Sequence, residues 1–194
     1  MKILLVILFF ILPSFALTDD SKVFKKMEKD FGSIIVKDLT KKKLIFSKDE
    51  NQILRPASLT KIMTSMLAIE SGKMNSVVTI TAEMKKVEPT IANFKVGEKF
   101  YLKDLVHAAM IKSANDAANA IAIYIKKRNK KKFVSMMNYK AKKLGMMNTN
   151  FTNPCGFDIG NHSTTANDLL KLTEYAIKNK TFFIKPITNK KKSK

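Results

Sequence analysis

Ser58 and Lys61 are the residues of this sequence whose types and spacing most directly suggest chemistry. They stand three positions apart at the start of a predicted helix, which places both side chains on one face, about one turn apart. A serine hydroxyl becomes a useful nucleophile beside a base, and a lysine amine can be that base if desolvation or a nearby cation lowers its pKa. The helix start adds backbone N–H groups that can stabilise an oxyanion. The pair alone is weak evidence, since an ordinary helix-start serine and a solvated lysine have the same spacing.

A second polar group, Ser113-Ala114-Asn115, lies between two apolar segments that are predicted to be helical. A serine hydroxyl beside a lysine can relay a proton, and an asparagine amide can bind a peptide carbonyl. The alternative interpretation is a connector between two helices in which Asn115 is the N-cap.

Three other residues invite a catalytic interpretation that the sequence does not favour. His107 falls within an apolar helical pattern and is predicted to pack in the core, and His162 precedes the last helix and is predicted to be structural. Cys155 lacks the surroundings of a cysteine nucleophile, and as the only cysteine it cannot form an internal disulfide.

The elements that must position these residues begin with two short β-rich runs, 32–36 and 43–47, which a turn at 38–41 joins into a predicted hairpin. A further strand-like run covers 77–81. Apolar spacing then predicts a series of helices at 58–71, 102–111, 117–125, 133–144 and 165–179. We find no internal repeat and no linker, so one domain is predicted. A hairpin alone is not stable, and this one needs further strands.

Two segments carry a family resemblance: 56–64, Pro-Ala-Ser-Leu-Thr-Lys-Ile-Met-Thr, and 112–118, Lys-Ser-Ala-Asn-Asp-Ala-Ala. They closely resemble the D-alanyl-D-alanine carboxypeptidases, low-molecular-mass penicillin-binding proteins that are relatives of the serine β-lactamases. The resemblance includes Asn-Thr-Asn-Phe-Thr-Asn-Pro-x-Gly at 148–156 and His-Ser-Thr-Thr-Ala-x-Asp-Leu at 162–169, and it runs from about residue 33 to residue 177.

The resemblance implies an α+β, penicillin-binding-protein transpeptidase-like fold with a helical subdomain and, here, an incomplete antiparallel sheet. It implies that Ser58 attacks the bond between the two terminal D-alanines of a peptidoglycan stem peptide while Lys61 takes its proton. Ser113 would relay a proton to the leaving D-alanine, and Asn115 would orient the substrate. β-Lactams would acylate Ser58, and neither a metal nor an organic cofactor is expected.

The sequence departs from the family in one motif. The Lys-Thr-Gly or Lys-Ser-Gly strand that borders the family's active site is absent from the 194 residues. We therefore expect a chain that is truncated before that strand, with a partial catalytic domain over 17–180. The alternatives are a catalytically impaired fragment that at most binds cell-wall material and, ranked lower, a β-lactamase-like hydrolase.

The termini and the charge complete the predictions. Residues 1–16 have the features of a secretory signal peptide, and 181–194 form a basic tail that is predicted to be disordered. The chain is therefore expected in the periplasm or cell envelope. A net charge of +20 comes from 36 Lys+Arg against 16 Asp+Glu. Because the lysines are scattered, genome composition explains the charge at least as well as a partner does; a weak contact with an anionic surface is expected, and no nucleic acid.

Overall fold

The computed structural model describes residues 3–9, 29–126 and 130–179, and of residues 3–9, 130 and 131 it describes the backbone only. The structure does not describe residues 10–16 of the predicted signal peptide, residues 127–129, or the predicted basic tail.

A predicted hairpin forms the first part of the fold. Strands β2 (Phe31–Asp38) and β3 (Lys43–Lys48) pair antiparallel. The turn between them is closed by Asp38, whose Oδ1 accepts the backbone N–H groups of Thr40 and Lys41 at 2.8 and 2.9 Å. This arrangement confirms the hairpin and is the local side chain-to-backbone bonding that makes aspartate favourable at turns.

The other edge of β2 holds a strand that the sequence did not predict. Strand β1 (Ile3–Phe9) lies within the predicted signal peptide and pairs parallel with β2, so the sheet order is β1-β2-β3. The parallel pairing with β1 adds a third strand to the predicted antiparallel hairpin. The physical reason is that an apolar extended segment can satisfy the unpaired N–H and C=O groups along a free strand edge.

Five helices follow, close to the predicted bounds. They are preceded by a 3-10 turn, Ala57–Leu59, and are α1 (Thr60–Glu70), α2 (Leu102–Ile111), α3 (Asn115–Ile125), α4 (Lys130–Lys143) and α5 (Ala166–Asn179). Between α1 and α2 lies a small antiparallel pair, β4 (Val77–Thr79) and β5 (Lys99–Tyr101). The sequence predicted β4 and missed β5, whose three residues are too few to show an alternating pattern.

The core is built around α3. Residues 115–123 of this helix are all buried, because alanines and isoleucines occupy nearly every face. Helices α1 and α2 pack directly against it. A helix that is apolar all round belongs in the interior, and its first residues are consequently held in a fixed position against α1.

Two further features of the described residues bear on function. None of their helices combines the length and the apolar character needed to cross a membrane. In the same part of the chain, no group of three or more histidine, cysteine, aspartate or glutamate side chains is placed to hold a metal ion.

Candidate active site

Ser58 lies in the 3-10 turn that leads into α1. Pro56 precedes the turn with a φ of −72°, and Ala57 takes a φ of +47°, in the left-handed region that favours glycine. This backbone holds Ser58 ahead of the regular helix, where the residue is exposed. A hydroxyl at this position is accessible to a substrate from solution.

Lys61 follows one turn later and, unlike Ser58, is buried, with 2% of its surface exposed. Its Nζ lies 2.9 Å from the Ser58 Oγ and 2.8 Å from the backbone carbonyl oxygen of Cys155. Burial lowers the pKa of the amine, and the neighbouring Cys155 thiol acts in the opposite direction when it is ionised. Within residues 29–126 and 130–179, no carboxylate forms an ion pair with Lys61. The environment therefore favours the neutral amine that a base requires.

Ser113 joins this pair from the connection between α2 and α3. Its Oγ donates a hydrogen bond of 2.8 Å to the Ser58 Oγ and lies 3.4 Å from the Lys61 Nζ. Its φ of +54° is again in the left-handed region. The structure thus brings together three of the predicted residues, which the sequence separates by up to 55 positions.

Asn115, the fourth predicted residue, is turned toward a different partner. Its Nδ2 donates to the carbonyl oxygen of Glu88 at 2.9 Å, and its backbone N–H donates to the carbonyl of Thr90 at 2.7 Å. The alternative interpretation of Asn115 as an N-cap is wrong, since Ala114 occupies the cap position. Asn115 instead fixes the loop before β5 beside the site.

A loop at 153–157 completes the site, and the sequence did not predict its role. Thr64 donates to the carbonyl of Pro154 at 2.7 Å, which attaches the loop to α1. Gly156 has a φ of +96°, and a Cβ there would lie 1.8 Å from the carbonyl oxygen of Ala57. Only glycine allows the loop to approach the turn that carries Ser58 so closely. No sequence signal shows which side chain a backbone carbonyl of this loop will meet.

His162 is part of the same framework and not of the reacting group. It is fully buried, its Nδ1 accepts the backbone N–H of Thr152 at 2.9 Å, and its Nε2 lies 2.8 Å from the Thr60 Oγ1. Since Nδ1 accepts, the proton is on Nε2, which donates to Thr60. Burial, with a smaller contribution from the charge of Arg55, lowers the pKa of His162 to about 4. A neutral histidine thus anchors the start of α1, in agreement with its predicted structural role.

Comparison with known proteins places the site in a family. The family model described as D-alanyl-D-alanine carboxypeptidase matches residues 20–194. The chain belongs to this family. The D-alanyl-D-alanine carboxypeptidase DacF of Bacillus subtilis is 31% identical over 171 residues, which are 86% of this chain and 44% of the relative. A D-alanyl-D-alanine endopeptidase of Escherichia coli is 34% identical over 146 residues, or 73% of this chain and 46% of the relative.

Solved structures of the family share the fold. The D-alanyl-D-alanine carboxypeptidase DacD from Francisella tularensis is similar with a TM-score of 0.70 and 33% identity, over 75% of this chain and 36% of that chain. Penicillin-binding protein 6B from Escherichia coli has a TM-score of 0.70 and 29% identity, over 79% and 51%. These similarities confirm the predicted α+β, penicillin-binding-protein fold. The chain spans less than half the length of the two curated relatives.

Proposed function

We propose that this chain is a serine D-alanyl-D-alanine carboxypeptidase that removes the terminal D-alanine from peptidoglycan stem peptides through an acyl-enzyme on Ser58. The observation that carries the proposal is the placement of a buried amine, without a carboxylate partner among the described residues, 2.9 Å from an exposed serine hydroxyl. Membership of the family supports the substrate class.

Acylation would begin with Ser58 and Lys61. The neutral Nζ of Lys61 accepts the hydroxyl proton as the Ser58 Oγ bonds to the carbonyl carbon between the two D-alanines. The carbonyl oxygen becomes an oxyanion, which the positive end of the α1 dipole would stabilise. A tetrahedral intermediate on Ser58 results.

Collapse of that intermediate would use Ser113. Its hydroxyl bonds the Ser58 Oγ and faces the Lys61 Nζ, so it can pass the proton from the amine to the nitrogen of the leaving D-alanine. The C–N bond breaks, and a serine ester remains. Water then attacks the ester carbonyl while Lys61 accepts its proton. The bond between the carbonyl carbon and the Ser58 Oγ breaks, Lys61 returns the proton to that Oγ, and the shortened peptide leaves.

Substrate binding would involve Asn115 and the cleft next to loop 153–157. The cleft has a volume of about 810 Å³, within the range of ligand sites, and Cys155 forms part of both the cleft and the Lys61 environment. Asn115 bonds the carbonyl of Glu88, a residue that lines the cleft, and its amide would exchange that carbonyl for a substrate carbonyl.

The cellular setting belongs to the same proposal. The predicted signal peptide places the enzyme outside the inner membrane, in the periplasm or cell envelope, where stem peptides occur. β-Lactams would acylate Ser58 because their strained amide presents a carbonyl to the same nucleophile. The lysine-rich surface would at most add a weak contact with anionic wall material.

Labelling with a fluorescent penicillin tests the proposal. The purified 194-residue chain is expected to form a covalent adduct that survives denaturation and is lost in Ser58→Ala. Ser71→Ala, at the other end of α1, is the matched control and should label like the wild type. Release of D-alanine from a stem pentapeptide is then measured, with a cross-linked dipeptide substrate in parallel to detect endopeptidase action.

The absence of any adduct with a folded chain would overturn the proposal and favour the non-catalytic fragment that binds wall material. An adduct that turns over rapidly would instead indicate the β-lactamase-like alternative. A long-lived adduct together with D-alanine release supports the carboxypeptidase.

A further inference from the structure

The loop 153–157 has an unusual internal organisation. Three consecutive backbone N–H groups, those of Cys155, Gly156 and Phe157, donate to the single Oδ1 of Asn153 at 3.1, 2.8 and 3.0 Å. The Nδ2 of Asn153 donates in turn to the carbonyl oxygen of Phe157 at 2.9 Å. One side chain therefore sets the conformation of all three following residues.

This conformation decides where the Cys155 carbonyl points. The Cys155 carbonyl shares its peptide plane with the N–H of Gly156 and points the opposite way. Because that N–H is directed toward Asn153, the carbonyl oxygen of Cys155 faces α1 and lies 2.8 Å from the Nζ of Lys61. It is the shortest of the three contacts of the amine, the others being 2.9 Å to Ser58 and 3.4 Å to Ser113. Because two of these partners are hydroxyls that can rotate, the carbonyl is the fixed acceptor that orients the amine.

We propose that Asn153 is a positioning residue for the general base: through the Cys155 carbonyl it holds the Lys61 amine against the Ser58 hydroxyl. This inference rests on the proposed function for its consequence in catalysis. The contact itself is independent of that function and can be tested without it.

The expected signature is a change in the pKa of Lys61. A carbonyl oxygen bonds more strongly to an ammonium than to a neutral amine, so it counteracts the desolvation of Lys61. The groups that face the amine are the hydroxyls of Ser58 and Ser113 and the thiol of Cys155, which raises the pKa when ionised. Loss of the carbonyl contact therefore lowers the pKa further.

The experiment compares the 194-residue chain with Asn153→Ala. Lysines labelled with ¹³C at Cε are titrated by NMR, and the Lys61 signal is assigned by its loss in Lys61→Met. In Asn153→Ala its pKa should fall below that of the wild type. The rate of penicillin acylation should drop about 10- to 100-fold, as expected for a misplaced base, and its ascending pH limb should move to lower pH.

Three variants separate positioning from general loop stability. Asn153→Asp keeps the oxygen that the three N–H groups bond, and its charge can only raise the Lys61 pKa, so the fall should not occur. Asn150→Ala, which removes the side-chain bonds to Asn161 in the neighbouring turn, should leave the Lys61 titration unchanged. If Asn153→Ala does not fold, Thr64→Val takes its place. This variant removes only the attachment of Pro154 to α1 and should also lower the pKa of Lys61.

An unchanged Lys61 pKa in folded Asn153→Ala, or an equal fall in Asn150→Ala, would overturn the inference. If the wild-type chain forms no penicillin adduct, the proposed function fails. The NMR titration still decides whether Asn153 positions the amine.

Discussion

A lysine lies at each end of α1, buried at the first end and partly buried at the other, and the pKa values of the two lysines are shifted in opposite directions. At the first end, Lys61 meets two hydroxyls and a carbonyl, and burial lowers its pKa. At the other end, the Nζ of Lys140 bonds the Glu70 Oε1 at 2.7 Å and the Tyr175 hydroxyl at 2.9 Å. Burial also acts to lower the pKa of Lys140, but the bonds and charges of Glu70 and Tyr175 together hold it above its ordinary value.

The difference shows that burial alone does not make a lysine a base. The Glu70 carboxylate accepts hydrogen bonds from both Lys140 and Tyr175, and this closed group joins α4 and α5 to the end of α1. Lys61 has partners that bond its amine without neutralising its charge. The group of Lys140, Glu70 and Tyr175 is therefore suited to stability, and the surroundings of Lys61 are suited to proton transfer.

Replacement of each lysine by methionine should separate the two roles most strongly. Lys61→Met is expected to lower the rate of penicillin acylation about 10²- to 10⁴-fold, because the proposed acceptor of the Ser58 proton is lost. Lys140→Met should reduce thermal stability and leave the acylation rate of the folded protein unchanged. Stopped-flow acylation and thermal unfolding of both variants check this contrast, which fails if either variant shows the other's behaviour.

Gly156→Ala tests how tightly loop 153–157 packs against the N-terminal end of α1. A Cβ at 1.8 Å from the Ala57 carbonyl oxygen forces the turn that carries Ser58 to move. A displacement of about 1 Å should reduce acylation roughly 10- to 100-fold. Gly160→Ala is the matched control: Gly160 has a φ of +62° and no atom within 4 Å of its added Cβ, so it shares the backbone strain without the clash.

Protonation of His162 should destabilise the fold at the N-terminal end of α1 as the pH falls. Its folded-state pKa of about 4 lies below the ordinary 6.5, so the unfolded chain binds a proton first as the pH falls. The stabilisation is complete above pH 6.5 and is lost between pH 6.5 and 4. From pH 7 to pH 5 it amounts to roughly 2 kcal/mol. Urea unfolding of the wild type and His162→Gln should differ by this amount in pH dependence, and parallel curves would contradict the assignment.

Glu70→Gln should have the smallest effect and should be confined to stability. The ion pair is partly accessible, with side-chain exposures of 16% and 22%, so its loss should cost about 1 kcal/mol of unfolding free energy. The Lys140 pKa should fall, because desolvation then acts with less opposition. Acylation by penicillin should be unaffected, and a changed acylation pH profile would show that the two ends of α1 are coupled.

The sequence predicted the elements that periodicity controls. The apolar spacing of α2 and α5 gave bounds close to those observed, and at the start of α5 the Thr165 Oγ1 accepts the backbone N–H of Asp168. The pairing of Ser58, Lys61 and Ser113 was also predictable, because the helix spacing fixes the first two and the family resemblance supplies the third. The roles of these residues stay predictions until the acylation experiments are done.

Backbone contacts over long separations were not predictable. Nothing in the residue type of Cys155 indicates that its carbonyl bonds a lysine 94 positions earlier. The bond of Asn115 to Glu88 depends on a loop without a periodic pattern, and the pairing of β1 with β2 joins an apolar run whose sequence fits a signal peptide equally well. In each case tertiary packing selects one of several partners that the sequence allows.

The site takes its atoms from three distant stretches of chain, at Ser58 and Lys61, at Ser113, and at Cys155. The amount of penicillin bound to Ser58 would therefore measure the correctly folded chains and not the total amount of polypeptide. A preparation that is half misfolded would show full mass on a gel and a proportionately smaller fluorescent signal. The ratio of the two signals would measure the correctly folded fraction in cells as well as in purified protein.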